Sequence, residues 1–382
     1  MIFPRTRKEA LRRLAAFLPE ATTYARDRNS VLPGHANVSQ LSAALRTRVV
    51  LETEVADACN DASEKFVQEV YWRLYWKGWL EMRPSVWTHY CNSLASFTDA
   101  DREKAIPTEQ GESRVAIMDR FARELVETGY LHNHARMWFA AFWIHDQKLP
   151  WELGADFFMR HLNDADAASN TLSWRWVAGL HTPGKTYLAR RSNIEKYCHP
   201  EILSANAKGL ERLEAPEPAL VRGCANPEIL PFPEAPLHLD ELQKTGRWGL
   251  WLHDEDLLPE NSILTNTHPT AIHVAGDSRH AAALVDCQAR ATEHFRVTAT
   301  RGELSDLPNW VKEQQLDTVV SFKPFVGPLS DRLEEIRPDL PCELRLFRRE
   351  EDTGIMRLAT AGFFSFWKKV QRLENAPISQ DR

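Results

Sequence analysis

Through residues 1–198 apolar positions recur every three or four residues, the period of helices that bury one face. Residues 64–80 set Phe66, Val70, Tyr71, Leu74 and Trp76 among charged neighbours. Residues 115–125 and 135–144 repeat the pattern with Ala, Arg, Met and Phe. Pro150 opens a further helix with Phe157, Phe158 and Leu162 on one side. Strand-like alternation is scarce here. Between 199 and 246 the pattern breaks. Pro200, Pro216, Pro218, Pro227, Pro231, Pro233 and Pro236 prevent a long element and predict a linker lying over the surface of the first domain. From 247 to 373 short apolar runs alternate with helical patterns. Strands are predicted at 249–253, 271–275, 318–322 and 343–347, and helices at 278–291, 307–315 and 361–370. That alternation predicts a small α/β domain with a Rossmann-like parallel sheet over residues 247–382, after a mainly α domain over 1–198.

A chain of 382 residues accommodates two or three domains. Hydrophobic residues at 43% and charged residues at 26% are ordinary for a soluble globular protein. No apolar run approaches ~18 residues, so no membrane span is expected. The opening Met1-Ile2-Phe3-Pro4-Arg5 lacks the apolar core of a secretory signal. Cys59, Cys91, Cys198, Cys224, Cys287 and Cys342 form no C-x-x-C pair, which fits a reduced, cytoplasmic setting and no metal. A formal net charge of −6 argues against a generally basic coat for nucleic acid, but not against a local basic patch. Neither G-x-G-x-x-G nor a Walker loop occurs in the α/β part. No Ser-His-Asp order, H-E-x-x-H or paired carboxylates support hydrolysis. His253-Asp254-Glu255-Asp256 reads as an exposed acidic turn.

The strongest stretch is Thr128-Gly-Tyr-Leu-His-Asn-His-Ala-Arg-Met137, followed by Leu162-Asn-Asp-Ala-Asp-Ala-Ala-Ser-Asn170 and Ser173-Trp-Arg-Trp176. It resembles the flavin-binding core of the DNA photolyase/cryptochrome superfamily: T-G-W-x-H-N-x-x-R-M, D-x-D-x-x-x-N, then W-x-W, without gaps. Gln68-Glu-Val-Tyr-Trp-Arg73 resembles the family's E-x-x-W-R helix. Tyr24, Arg28-Asn29 and Asn37-Val-Ser-Gln-Leu-Ser42 resemble its phosphate loop T-S-R-L-S, with Val38 for Thr and Gln40 for Arg. Those changes remove one hydroxyl and one charge, which Arg26 and Arg28 could replace. The likeness is close over about residues 20–195. In most photolyases the α/β domain comes first. Here Trp248-Gly-Leu-Trp-Leu-His-Asp254 resembles that domain's opening strand, and Gly362-Phe-Phe-Ser-Phe-Trp-Lys-Lys369 the segment that closes it. The order resembles a circular permutation or a reduced, rearranged second domain. The chain is also similar to short photolyase-like bacterial proteins without an N-terminal antenna domain.

The resemblance implies FAD, held by Tyr24, Arg28, Val38, Ser39, Gln40, Leu41, Ser42, Phe66, Glu69, Arg73, Tyr130, Asn133, Arg136, Asp164, Ala165, Asp166 and Asn170. Asn170 would face flavin N5, where an amide donates or accepts as the redox state changes. Arg136 and Asp164 match the charged pair beside the ring, and Asp166 the residue near its pyrimidine edge. The bland alternative is a helix N-cap for Asp164 or Asp166 and a surface ion pair for Arg136. Whether a second, antenna chromophore binds is open.

The implied reaction is light-driven repair of cyclobutane pyrimidine dimers, in which excited reduced FAD gives one electron to a flipped-out lesion. The implied partner is UV-damaged DNA, single- or double-stranded, and the protein a monomer. Trp72 and Trp176 match the stacking walls, Glu69 and Asn133 the hydrogen-bonding groups, and Met137 lies over the base region. Glu69, Trp72, Arg73 and Trp76 share one helix face. Relatives that repair (6-4) photoproducts carry His where this chain has Asn133. Trp174 and Trp151, 23 residues apart, match two members of a tryptophan relay that reduces flavin. Trp76, Trp79, Trp138 and Trp143 are candidates for the third. Lys185, Arg190 and Arg191 suit backbone phosphates. Two alternatives remain: a cryptochrome-like photosensor without repair activity, and a light-independent single-strand binder.

Overall fold

The computed structural model describes residues 3–181, 186–221, 227–242 and 244–374. Four helices carry most of the motif residues. Helix α1 (Glu64–Glu81) is entered at Ser63, whose hydroxyl accepts the Phe66 N–H at 3.3 Å and so satisfies a first-turn donor. Helix α2 (Asn133–Ala141) is capped by His132, whose Nδ1 accepts the His134 N–H at 3.1 Å. It continues into one wider π-type turn, Phe142–Asp146, which begins inside the span 135–144 predicted as plain helix and runs past its end. Helix α3 (Trp151–His161) follows Pro150. Helix α4 (Ala167–Val177) starts at the Asp166 cap, which accepts the Ser169 N–H at 2.7 Å.

The α/β part holds five parallel strands: β1 (Trp248–Leu252), β2 (Ala271–Ala275), β3 (Ala299–Gly302), β4 (Thr318–Phe322) and β5 (Glu343–Phe347). Their order is β3-β2-β1-β4-β5. Three predicted strands keep their predicted limits, and β1 begins one residue early. The missed strand, β3, is a four-residue edge strand whose middle residues are exposed. It lacks the apolar run that marks a strand buried on both faces. Trp251, Leu307, Trp310, Val319, Leu329 and Leu333 pack together in the core of this part. Gly249 makes that packing possible, because a Cβ there would lie 2.4 Å from Leu316 and 2.5 Å from the Trp310 ring. The last described helix, α5 (Phe363–Glu374), starts two residues later than predicted. Among the described residues no helix is long and apolar enough to cross a membrane.

Packing divides the chain into two compact units. The first comprises Met1–Pro4, Arg12–Arg46 and Ser85–Glu228, and contains α2, α3 and α4. The second comprises Arg5–Leu11, Thr47–Pro84 and Ile229–Arg382, and contains α1, the sheet and α5. Residues 47–84 therefore pack with the sheet although they precede it by a long stretch of chain.

A buried ion network joins them. Arg48 is 1% exposed and reaches Glu52 at 3.1 Å, Asp256 at 3.3 Å and Asp352 at 2.5 Å. Lys77 meets Glu52 at 3.0 Å, and Arg349 meets Asp256 at 2.8 Å. Arg48 and Lys77 also lie over the Phe325 ring, 5.1 and 4.4 Å from its centre. Burial alone would push Asp256 up, but Arg349 and Arg48 outweigh it and hold its carboxyl at about 2. The turn His253–Asp256, expected to be exposed, is thus buried. The charges of Asp256 and Asp254 are met by Arg349, Arg48 and His280, and Glu255 accepts the Phe325 N–H at 2.8 Å.

Candidate functional site

In the first unit the motif blocks are laced to one another. Gly129 ends the helix Ala116–Thr128 at φ +67°, in the left-handed region, and a Cβ there would lie 2.3 Å from Asn163 Nδ2. The Asn163 N–H donates to Gly129 O at 2.8 Å, and its Nδ2 to Thr128 O at 3.0 Å. Across this seam Arg136 donates from Nε to Leu131 O at 2.8 Å and from Nη2 to Asp164 Oδ2 at 3.1 Å. The two residues that the resemblance matched to a charged pair are thus in contact, with the Asp164 side chain 5% exposed. Asp166 caps α4, the role weighed as the bland alternative. Asn170 is buried on α4 and donates one Nδ2 proton to Ala155 O at 2.8 Å, leaving its second N–H and carbonyl oxygen for other work. Arg46 was not anticipated. It closes the helix Ser42–Arg46 and donates to Ala165 O at 2.6 Å. Its place at the end of the run from Asn37 was the available signal.

Among the described residues His132 Nε2, Ser169 Oγ and Thr171 Oγ1 are buried without a protein hydrogen bond. Each adjoins a residue that the resemblance assigns to flavin, and a ring edged with nitrogen and oxygen would satisfy such atoms. His132 is kept neutral and pushed down to about 3, by burial above all and then by His35, His134 and Arg136. Tyr130 is packed on Phe3 at 4.5 Å, with Arg136 5.6 Å from its ring centre.

The loop resembling a phosphate site holds itself in shape. Gln40, at φ +57°, donates to Gly34 O and His35 O at 3.0 Å each, so its amide is used inside the loop. Arg13 donates to Val38 O and Ser39 O at 2.8 Å each. Ser39 Oγ accepts the Leu41 N–H at 3.4 Å; Leu41 is buried and Ser42 half-buried. Tyr24 and Arg28 are half-buried, and Arg28 adjoins Asn29, whose carbonyl accepts from His134 Nδ1 at 2.8 Å. Arg26 is turned to its neighbour Asp27 at 2.7 Å.

Asn133 is exposed at the first position of α2, and Met137 and Trp176 are half-buried. Arg190 is exposed, whereas Arg191 is paired with Glu195 at 2.8 Å and Glu214 at 3.2 Å. Lys185 lies outside the described residues. Trp174 and Trp151 are both buried. Trp143 is 6.2 Å from Trp174, and Trp138 is engaged with Asn193 at 2.9 Å. From Trp151 a second line of rings runs to Tyr90 at 5.7 Å and on to Trp87 at 5.2 Å. Sequence reading passed over both, because they lie on another helix, Ser85–Ser96.

The other predicted residues lie on α1, in the second unit. Phe66 is buried, and Glu69, Trp72 and Arg73 are half-buried. Glu69 pairs with Lys65 at 3.1 Å. Trp72 stacks face to face on Phe363, centroids 3.9 Å apart at 7°, with Tyr75 edge-on at 5.3 Å. Trp76 and Trp79, both buried, belong to this unit too.

Residues 66–199 match the family model for the FAD binding domain of DNA photolyase. The chain is similar to the deoxyribodipyrimidine photo-lyase of Neurospora crassa, 32% identical over 203 residues, covering 49% of this chain and 32% of that protein. It is similar to the Escherichia coli enzyme of the same name, 28% identical over 200 residues, covering 48% of this chain and 42% of that one. The chain thus spans less than half the length of these two relatives. Among solved structures, a class III photolyase from Agrobacterium tumefaciens aligns with TM-score 0.45 and 27% identity over 51% of this chain and 43% of that one. The motif blocks and the family match define a flavoprotein whose cofactor is FAD. Over the matched stretch the chain is similar to the DNA photolyases.

Proposed function

We propose that this chain is a light-driven lyase that splits cyclobutane pyrimidine dimers in DNA. The observation that carries the reading is the Arg136–Asp164 ion pair, formed between two motif blocks at 3.1 Å. FAD, when bound, supplies the electron that a dimer takes up on illumination. The protein supplies binding, orientation and electrostatics. Arg136 and Asp164 would help to hold FAD with fixed opposite charges. Asn170, with one N–H and its carbonyl oxygen left over, would bind it in either redox state. Neutral His132 adds a polar atom without adding charge.

For the extruded base, Trp176 is assigned as a flat wall, Asn133 as a hydrogen-bonding group and Met137 as the apolar neighbour; on α1 the resemblance assigns Trp72 to stacking and Glu69 to hydrogen bonding. Asn133 supports dimers over (6-4) photoproducts as the lesion. Arg190 and Lys185 are assigned to phosphates, which makes affinity fall as salt rises. Trp174 and Trp151 are assigned to reduction of oxidised flavin.

The test is illumination of the reduced holoprotein with dimer-containing oligonucleotide, single- and double-stranded. Light-dependent loss of dimers supports the reading. No repair of either substrate by protein that retains FAD would favour a photosensor. Protein that takes up no FAD would overturn both.

A further inference from the structure

We propose that Phe363 is a positioning residue for recognition of the damaged base: it clamps the Trp72 indole in the plane against which that base stacks. The inference rests on the function proposed above and extends it to a helix more than 280 residues further along the chain, near the end of the described residues.

The geometry is specific. Phe363 and Trp72 lie face to face, 3.9 Å between centroids and 7° from parallel. Tyr75 stands edge-on to both rings, at 88° to Trp72 and 86° to Phe363. Trp76 leans on Trp72 at 5.1 Å. One face of Trp72 is therefore taken and its plane fixed from two sides, yet Trp72 is half-buried rather than buried. Phe363 itself is 3% exposed.

An unclamped tryptophan on a helix surface would lose rotamer freedom when a base stacked on it, and that loss would weaken binding. A ring already held flat avoids it. The clamp is separable from the docking of α5. Tyr75 Oη donates to Ala361 O at 2.9 Å, Trp367 Nε1 donates to Glu64 at 3.3 Å, and Phe366 and Trp367 pack on Tyr75 and Tyr71 at 5.4 and 5.2 Å. These contacts survive a change confined to the Phe363 ring.

The test compares Phe363→Leu, which keeps apolar bulk without a flat face, with Phe363→Tyr, which keeps the ring. Holoprotein is titrated in the dark with matched oligonucleotides that do or do not carry one thymine dimer. The readout is the ratio of the two affinities, which general loosening of the fold would not change selectively. Phe363→Leu should retain FAD and its affinity for undamaged DNA, and lose about 3- to 10-fold in preference for the dimer. Phe363→Tyr should restore that preference. An unchanged ratio in Phe363→Leu overturns the clamp alone. A higher ratio also overturns it, because Phe363 would then be occupying the place of the base. No preference in the unmodified protein overturns the functional reading and the clamp with it.

Discussion

Asn133 and Arg136 sit one helical turn apart on α2 yet differ in what their loss should do. Asn133 is exposed at the helix start. Asn133→Ala should change stability by no more than about 0.5 kcal/mol. A drop in repair of tenfold or more with full FAD content would therefore report its chemistry; loss of flavin instead would show that it holds the cofactor. Arg136→Ala removes the guanidinium that meets the Asp164 carboxylate, whose side chain is only 5% exposed. We expect destabilisation of about 3 kcal/mol in denaturant titration, together with loss of FAD. His132 gives a pH dependence. Its folded value of about 3 lies below the unfolded value of about 6.5, so the unfolded chain binds a proton that the folded chain refuses. Stability is full above about 6.5 and should fall as pH drops from there toward 3, by up to about 1.4 kcal/mol per pH unit. His134, lowered mainly by burial, acts in the same direction. Equal denaturation midpoints at pH 7 and 5.5 would contradict this assignment.

For the helices around Trp174, the expectation concerns electron flow. Trp174→Phe should slow photoreduction of oxidised FAD severalfold, followed by flavin absorbance under blue light; an unchanged rate would remove Trp174 from the relay. Elements with a strong internal pattern were legible in the sequence. Strands β2 and β4 are compact, largely apolar runs, β5 alternates leucines with Glu343 and Arg345, and α1 has its own cap at Ser63. What escaped was decided by distant partners. Edge strand β3 has exposed middle residues and carries no such run. The His253–Asp256 turn reads as solvated until Arg48 and Arg349 are found beside it. The Arg136–Asp164 pair could be anticipated because both residues belong to one gap-free motif. The Trp72–Phe363 stack could not, since no local pattern links the two positions.

On the scale of the whole molecule, the buried charges of the second unit bind residues 47–84 to the sheet. Removing one member leaves its partners charged in a medium that penalises them, so Arg48→Met should lower stability by about 3–5 kcal/mol. Thermal unfolding followed by circular dichroism would measure it, and a loss below 1 kcal/mol would show that the network is dispensable. A chain ending at residue 246 would keep Arg48, Glu52 and Lys77 but lose Asp256, Asp352 and Phe325. That fragment should express as aggregate.

The same network limits how such a gene can be rearranged. A recombination event that exchanged only the stretch matching the family model, residues 66–199, would replace Lys77 while leaving its counter-ion Glu52, which is encoded upstream. Breakpoints drawn by sequence similarity would cut through a single electrostatic assembly, so its members must be inherited and altered together.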